Sequence, residues 1–242
     1  MPNIKQRLIF FDTETTGNTE KDFLIQIAYK VNSETFVGLY KPEVKIPPEA
    51  SAVHHITDKM VAEKPTFKES TDQPIIKKLF EAKDSVVIAH NAPFDLMIIK
   101  KEEIVPNKFI CTLRVARYLD KEGKIERYNL QYLRYLLDLE VEAVAHDALG
   151  DVLVLEKLFG RLLKKLMETE NLDGEDAIEK MIEISSHPSL LLTFNFGKHT
   201  GKKIGDVLMT DRGYLEWLLS QKLESDQIED DWIYTLKHYL EK

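Results

Sequence analysis

The chain predicts an α/β layer fold. Three observations carry that reading. A short apolar run at 8–11 has the character of a buried strand, a β-branched run at 85–89 has it again, and stretches of helical period lie between and after them. At 242 residues, 43% of them hydrophobic and 31% charged, the chain has material for one medium domain and a small second unit.

The elements follow in order. Residues 8–11 form a strand that ends at Asp12, and 23–31 and 35–40 form two more, joined by Asn32-Ser33-Glu34. Short connections between three successive strands predict an antiparallel meander. Pro42, Pro47 and Pro48 then break the pattern. Asp72, Ile75, Ile76, Leu79 and Phe80 have helical spacing over 72–83. The strand at 85–89 delivers His90 and Asn91, and a helix over 94–101 places Asp95 in its first turn. Two short helices fit 112–119 and 130–137. The longest helical pattern spans 147–167, with Val152, Leu155, Leu158, Phe159 and Leu162 on one face. His146 stands at its start and Asp151 about one turn in.

Residues 168–187 read as an acidic helical connector, with seven Asp+Glu and one Lys. Residues 188–242 read as a small C-terminal module. The module opens on the Gly-punctuated stretch Phe194-Asn195-Phe196-Gly197-Lys198-His199-Thr200-Gly201-Lys202-Lys203 and continues with amphipathic segments at 214–219 and 232–240. The expected division is therefore 1–167, 168–187 and 188–242.

Charge is distributed unevenly. Residues 1–167 hold 25 Lys+Arg and 25 Asp+Glu, whereas 168–242 hold 8 and 16, so the net charge of −8 belongs to the C-terminal third. Such a balance bears on solubility and encounter, not on the identity of a site. The single Cys111 excludes an internal disulfide and suggests a reducing compartment. No signal-peptide pattern precedes the first strand, and no run reaches roughly 18 apolar residues, so a cytoplasmic protein is expected.

Acidic residues in apolar surroundings carry the chemistry. Asp12 and Glu14 follow Phe10-Phe11, Asp95 follows His90-Asn91-Ala92-Pro93-Phe94, and Asp151 follows His146-Asp147-Ala148-Leu149-Gly150. A carboxylate in such a setting is neutralised by a proton or by a cation. Converging carboxylates suit Mg²⁺, which prefers hard oxygen ligands. Two such ions roughly 3.5–4 Å apart can activate a nucleophile and stabilise a leaving oxygen at phosphate. His146, titrating near neutral pH, is the candidate general base.

Asp12-Thr13-Glu14-Thr15-Thr16-Gly17, Asn91-x3-Asp95 and His146-x-Ala148-x2-Asp151 together resemble the three motifs of the DEDDh 3′→5′ exonuclease superfamily, over residues 8–165. The DEDDy branch places Tyr where this chain has Asp147. The resemblance implies a ribonuclease-H-like fold, a mixed five-stranded sheet flanked by helices. It also implies two Mg²⁺ or Mn²⁺ ions and release of nucleoside 5′-monophosphates from a 3′ end. Asp12, Glu14 and Asp151 then hold one ion, Asp12 the second with Asp95 near it, and His146 is the base. Thr15 is expected beside the terminal 3′-hydroxyl and Phe94 as a stacking surface, with Asn91 also among the substrate contacts. Val53-His54-His55-Ile56-Thr57 is similar to the family's Val-His-Gly-Ile-Thr segment; it makes His54 a base contact and puts His55 where the family has Gly.

The tail, with Phe196-Gly197-Lys198-His199-x-Gly201-Lys202-Lys203 and Tyr214-Leu215-x-Trp217-Leu218-Leu219, looks like the C-terminal module of exodeoxyribonuclease X-like proteins. Tyr128-Asn129-Leu130-Gln131-Tyr132-Leu133 points to the same subgroup. Lys198, Lys202 and Lys203 are candidate DNA contacts, because 192–213 carries four Lys+Arg against two Asp+Glu. The expected partner is DNA, single-stranded or duplex at its 3′ end, with RNA as the alternative. A clamp-binding peptide is not evident at 168–190, so a polymerase or clamp partner is not indicated. The competing readings are a 3′→5′ exoribonuclease, a proofreading subunit of a DNA polymerase, and a non-catalytic nucleic-acid binding module.

Overall fold

The computed structural model describes residues 5–141 and 148–241. His146 and Asp147 lie outside the described residues. Strands β1 (Arg7–Thr15), β2 (Leu24–Val31), β3 (Glu34–Leu39), β4 (Ser85–Ala89) and β5 (Phe109–Cys111) form one sheet in the order β3-β2-β1-β4-β5. β1, β2 and β3 pair antiparallel as the expected meander, and β4 and β5 extend the sheet in parallel. The sheet is therefore mixed and five-stranded. β5, only three residues long, was not foreseen.

The helices are α1 (Pro48–His54), α2 (Asp58–Val61), α3 (Asp72–Phe80), α4 (Ala92–Lys101), α5 (Thr112–Leu119), α6 (Leu130–Leu136), α7 (Ala148–Glu170), α8 (Gly174–Ser185), α9 (Ile204–Thr210), α10 (Arg212–Leu223) and α11 (Asp230–Leu240). Alternation along the strands divides the core in two. Phe10, Val86, Ile88 and Ile110 face α5, α7 and α8, while Ile9, Phe11, Val87 and Ala89 face α3 and α4. The stripe read from the sequence at Val152, Leu155, Leu158, Phe159 and Leu162 is the buried face of α7. Phe159 meets the edge of Phe10 at a ring separation of 5.3 Å, which seats α7 across β1.

Residues 168–187 are more than a connector. They contain α8, whose Ala177, Ile178 and Met181 are fully buried in the core beside α7. Its carboxylates take the outward positions. Asp173 caps the helix by accepting the Asp176 N–H at 2.9 Å.

The tail has its own core of Leu191, Phe194, Ile204, Val207, Leu215, Leu218, Trp232 and Leu236. It is fastened to the rest by Arg114, buried on α5. That guanidinium donates to the Ser185 carbonyl at 2.8 Å and to Asp230 at 2.9 Å, and approaches Asp231 at 3.3 Å. Arg117 pairs with Asp231 as well.

Candidate active site

β1 does not stop at Asp12, as the apolar run alone suggests, but continues through Thr15. The pleat brings the two acids to one side. With a period of two, Asp12 and Glu14 leave the same face as Phe10, toward α7. A break in register between Glu14 and Thr15 ends the regular pairing with β2 just beyond them. Asp151, buried in the first turn of α7, approaches from the opposite side. Ligand oxygens of Asp12, Glu14 and Asp151 all lie within 4.8 Å of one another.

Asp95 is brought in by the turn after β4. Asn91 adopts the left-handed conformation (φ 66°), which Asn tolerates better than most residues, and the chain reverses into α4. Asp95 is 3% exposed, and its Oδ1 accepts a hydrogen bond from Thr13 Oγ1 at 2.7 Å. The result is four carboxyl groups around one place. Burial, reinforced by the charges of Asp95, Glu14 and Asp151, pushes the Asp12 carboxyl well above the ordinary carboxylate range. Burial pushes Asp95 up to about 7, against the opposing hydrogen bond from Thr13. Hard oxygens at this spacing, with charges that raise one another's pKa, are a donor set suited to a divalent cation.

Asp151 is also held from outside the acidic set. Gln131 Nε2 donates to Asp151 Oδ1 at 2.5 Å, and Arg134 Nη1 faces Gln131 Oε1 at 3.4 Å. The guanidinium fixes which end of the amide points at the carboxylate, since Arg can only donate. Asn129 caps α6 by accepting the Tyr132 N–H at 2.8 Å, which aims Gln131 from the first turn. Gln131 was not singled out from the sequence. Its segment was noted, but no spacing rule links it to Asp151.

The remaining candidates are placed as follows. Thr15 is buried, and its hydroxyl donates to the Gly17 carbonyl at 2.5 Å. His54 is buried at the end of α1. Its Nδ1 accepts the Ile56 N–H at 3.0 Å, and its Nε2 is buried with no hydrogen-bond partner of good geometry among the described residues. Burial holds its pKa below the ordinary imidazole value, and the neighbouring Thr15 carbonyl acts in the other direction. His54 and Thr15 are therefore neighbours.

His55 has φ 61°, the left-handed geometry that explains a glycine at this point in similar sequences. Phe94 is half-buried and packs against the core on the α3–α4 side. Asn91 is exposed. Lys198 lies away in the tail, paired with Asp211 at 2.7 Å, while Lys202 and Lys203 are exposed.

Known proteins resemble the chain along most of its length. Residues 9–159 match the family described as Exonuclease, and residues 194–222 match the one described as Exodeoxyribonuclease X-like C-terminal. The chain is 34% identical over 204 residues to Exodeoxyribonuclease 10 of Escherichia coli K12, covering 84% of this chain and 83% of that one. It is 33% identical over 166 residues to the DNA polymerase III subunit epsilon of Treponema pallidum, covering 63% and 74%. A solved structure of Exonuclease X in complex with 5′ overhanging duplex DNA superposes with a TM-score of 0.57 at 27% identity, over 74% of this chain and 99% of that one. Escherichia coli Exonuclease I in complex with a dT13 oligonucleotide has the same score at 22% identity, over 69% and 42%, and shares the fold. The ribonuclease-H-like sheet and the tail thus agree with these proteins, and the chain belongs to the exonuclease family as a 3′→5′ exonuclease carrying an exodeoxyribonuclease X-like C-terminal segment.

Proposed function

We propose that this enzyme is a two-metal exodeoxyribonuclease that removes nucleoside 5′-monophosphates from DNA 3′ ends, with His146 as general base and Mg²⁺ as the cation. The observation that carries the reading is the convergence of Asp12, Glu14 and Asp151 within 4.8 Å, with Asp95 beside them. Its preference for DNA rests on the exodeoxyribonuclease relatives.

When bound, the two cations would neutralise charge on the phosphate and stabilise the leaving 3′-oxygen. The chain's own residues do the rest. Asp12, Glu14 and Asp151 would hold a cation between them, and Asp95, beside Asp12, would help to hold the second. Gln131 orients Asp151, and Thr13 orients Asp95. His146 accepts the proton of the attacking water, a task for which an imidazole is matched near neutral pH. Thr15 and His54 form the wall beside the terminal nucleotide, with Asn91 and Phe94 on the α4 side. Residues 1–167 supply this chemistry and 188–242 the accessory module. Lys198, Lys202 and Lys203 would meet the DNA backbone away from the reacting bond. No helix among the described residues is long and apolar enough to cross a membrane, and the buried free thiol of Cys111 fits action in the cytoplasm.

The test is direct. The purified protein is incubated with 5′-labelled single-stranded, blunt and recessed DNA and RNA, with and without Mg²⁺, and the products are identified. Mononucleotide release from DNA 3′ ends, lost in Asp12→Ala, is the expected result. Release from RNA alone, or release unaffected by chelation, would contradict it.

A further inference from the structure

A cleft of about 520 Å³ opens between the sheet domain and the C-terminal module. That volume lies in the roughly 300–1,000 Å³ range of sites that hold ligands. Asn91 and Asn129 line it on one side, Asn195 and Trp232 on the other, and Arg127 stands among them.

The charges of this cleft are nearly all committed. Glu229 pairs with Lys222 at 2.6 Å, Asp230 with Arg114 at 2.9 Å, and Asp231 with Arg117. Arg127 lines the cleft, is exposed, and is the one of its charged side chains without an ion-pair or hydrogen-bond partner among the described residues. Three exposed amides accompany it: Asn91, Asn129 and Asn195. One uncommitted guanidinium and exposed amides that can donate suit a phosphodiester chain, with the largely buried Trp232 closing the wall behind them.

The cleft also leads to the acids. Asn91 lies one helical turn before Asp95, and Asn129 lies two residues before Gln131, which holds Asp151. Both segments that line the cleft therefore continue into the acidic cluster.

We propose that this cleft is a binding site for a single nucleic-acid strand, holding nucleotides that precede the terminal one. Arg127 sits on a phosphate there, and the C-terminal module forms the far wall through Asn195 and Trp232. The module then grips substrate through this face, in addition to any contact by Lys198, Lys202 and Lys203. The assignment rests on the nuclease reading above, and its test can be scored separately.

Binding of a 5′-fluorescent thymidine oligonucleotide of about ten nucleotides, and of the corresponding dinucleotide, is measured by anisotropy in Ca²⁺ across a salt series. Wild type, Arg127→Ala, Arg127→Glu and Asn195→Ala are compared. Arg127→Ala is expected to weaken the longer strand about tenfold and to reduce its salt slope by roughly 0.7, the weight of one phosphate contact on a single strand. Arg127→Glu weakens it further, Asn195→Ala by less, and the dinucleotide changes little. Unchanged affinity and slope for the longer strand in both Arg127 variants would overturn the assignment. Mononucleotide release in Mg²⁺ is followed in parallel. Release by wild type with unaltered Arg127 binding removes the cleft alone. Absence of release with Arg127-dependent binding removes the nuclease reading and leaves the cleft.

Discussion

Asp12 is the residue on which the site turns. Its carboxyl is pushed up by burial and then by three neighbouring carboxyl groups, so the cation-free protein bears repulsion that a divalent ion relieves. Asp12→Asn should therefore raise the melting temperature of the chelated protein, abolish turnover, and remove the stabilisation that Mg²⁺ gives wild type. Calorimetry with and without the ion checks all three. Gln131 acts through Asp151. Gln131→Leu keeps the size of the side chain but loses the donor, and should lower cation affinity or turnover about 10–100-fold, the weight of an outer ligand contact. Cation titration monitored by calorimetry separates that effect from a loss of fold. His146→Ala should cost about 10²–10⁴-fold in single-turnover rate and flatten the pH–rate profile on its acid side.

At the scale of elements, His90 links β4 to α5 and to the start of α6. Its Nε2 lies 2.6 Å from the Tyr128 carbonyl, which can only accept, so that nitrogen carries the proton and Nδ1 faces the Thr112 hydroxyl at 2.9 Å. Burial, aided by Arg117, lowers the His90 pKa from 6.5 to about 4. The unfolded chain takes up a proton in that window that the folded chain refuses, so stability contributed by neutral His90 is present above about pH 6.5 and is lost as the pH falls through about 4. Urea midpoints across the window should fall more steeply for wild type than for His90→Gln.

The elements also show what was legible beforehand. The acids of β1 could be read because an apolar run led into them, and the face of α7 because five apolar residues held its period. β5 was missed because three residues give no period to read. In α8, outward carboxylates dominated the composition of the segment and hid Ala177, Ile178 and Met181, whose spacing was already that of a buried stripe. The hydrogen bond from Gln131 depends on how α6 settles against α7, a tertiary fact without a local signature. The left-handed turn at His55 is kept although His replaces the family's glycine there, a substitution that had put the turn's geometry in question.

For the whole molecule, the sheet carries a core on each face and the tail holds a smaller one of its own. Arg114 joins them, donating to the end of α8 and to α11 from a position only 6% exposed. Removing it strands Asp231 among fewer cations. Arg114→Ala should cost on the order of 3 kcal/mol and release the tail, seen as faster proteolysis near residues 186–190 while the sheet domain persists. The account as a whole depends on the four carboxyl groups acting together as a cation site. Manganese binding followed by electron paramagnetic resonance tests this most directly, since it needs no substrate. Two ions per chain in wild type, with both weakened in Asp12→Ala, is the predicted result; no saturable binding, or binding indifferent to Asp12, would contradict it.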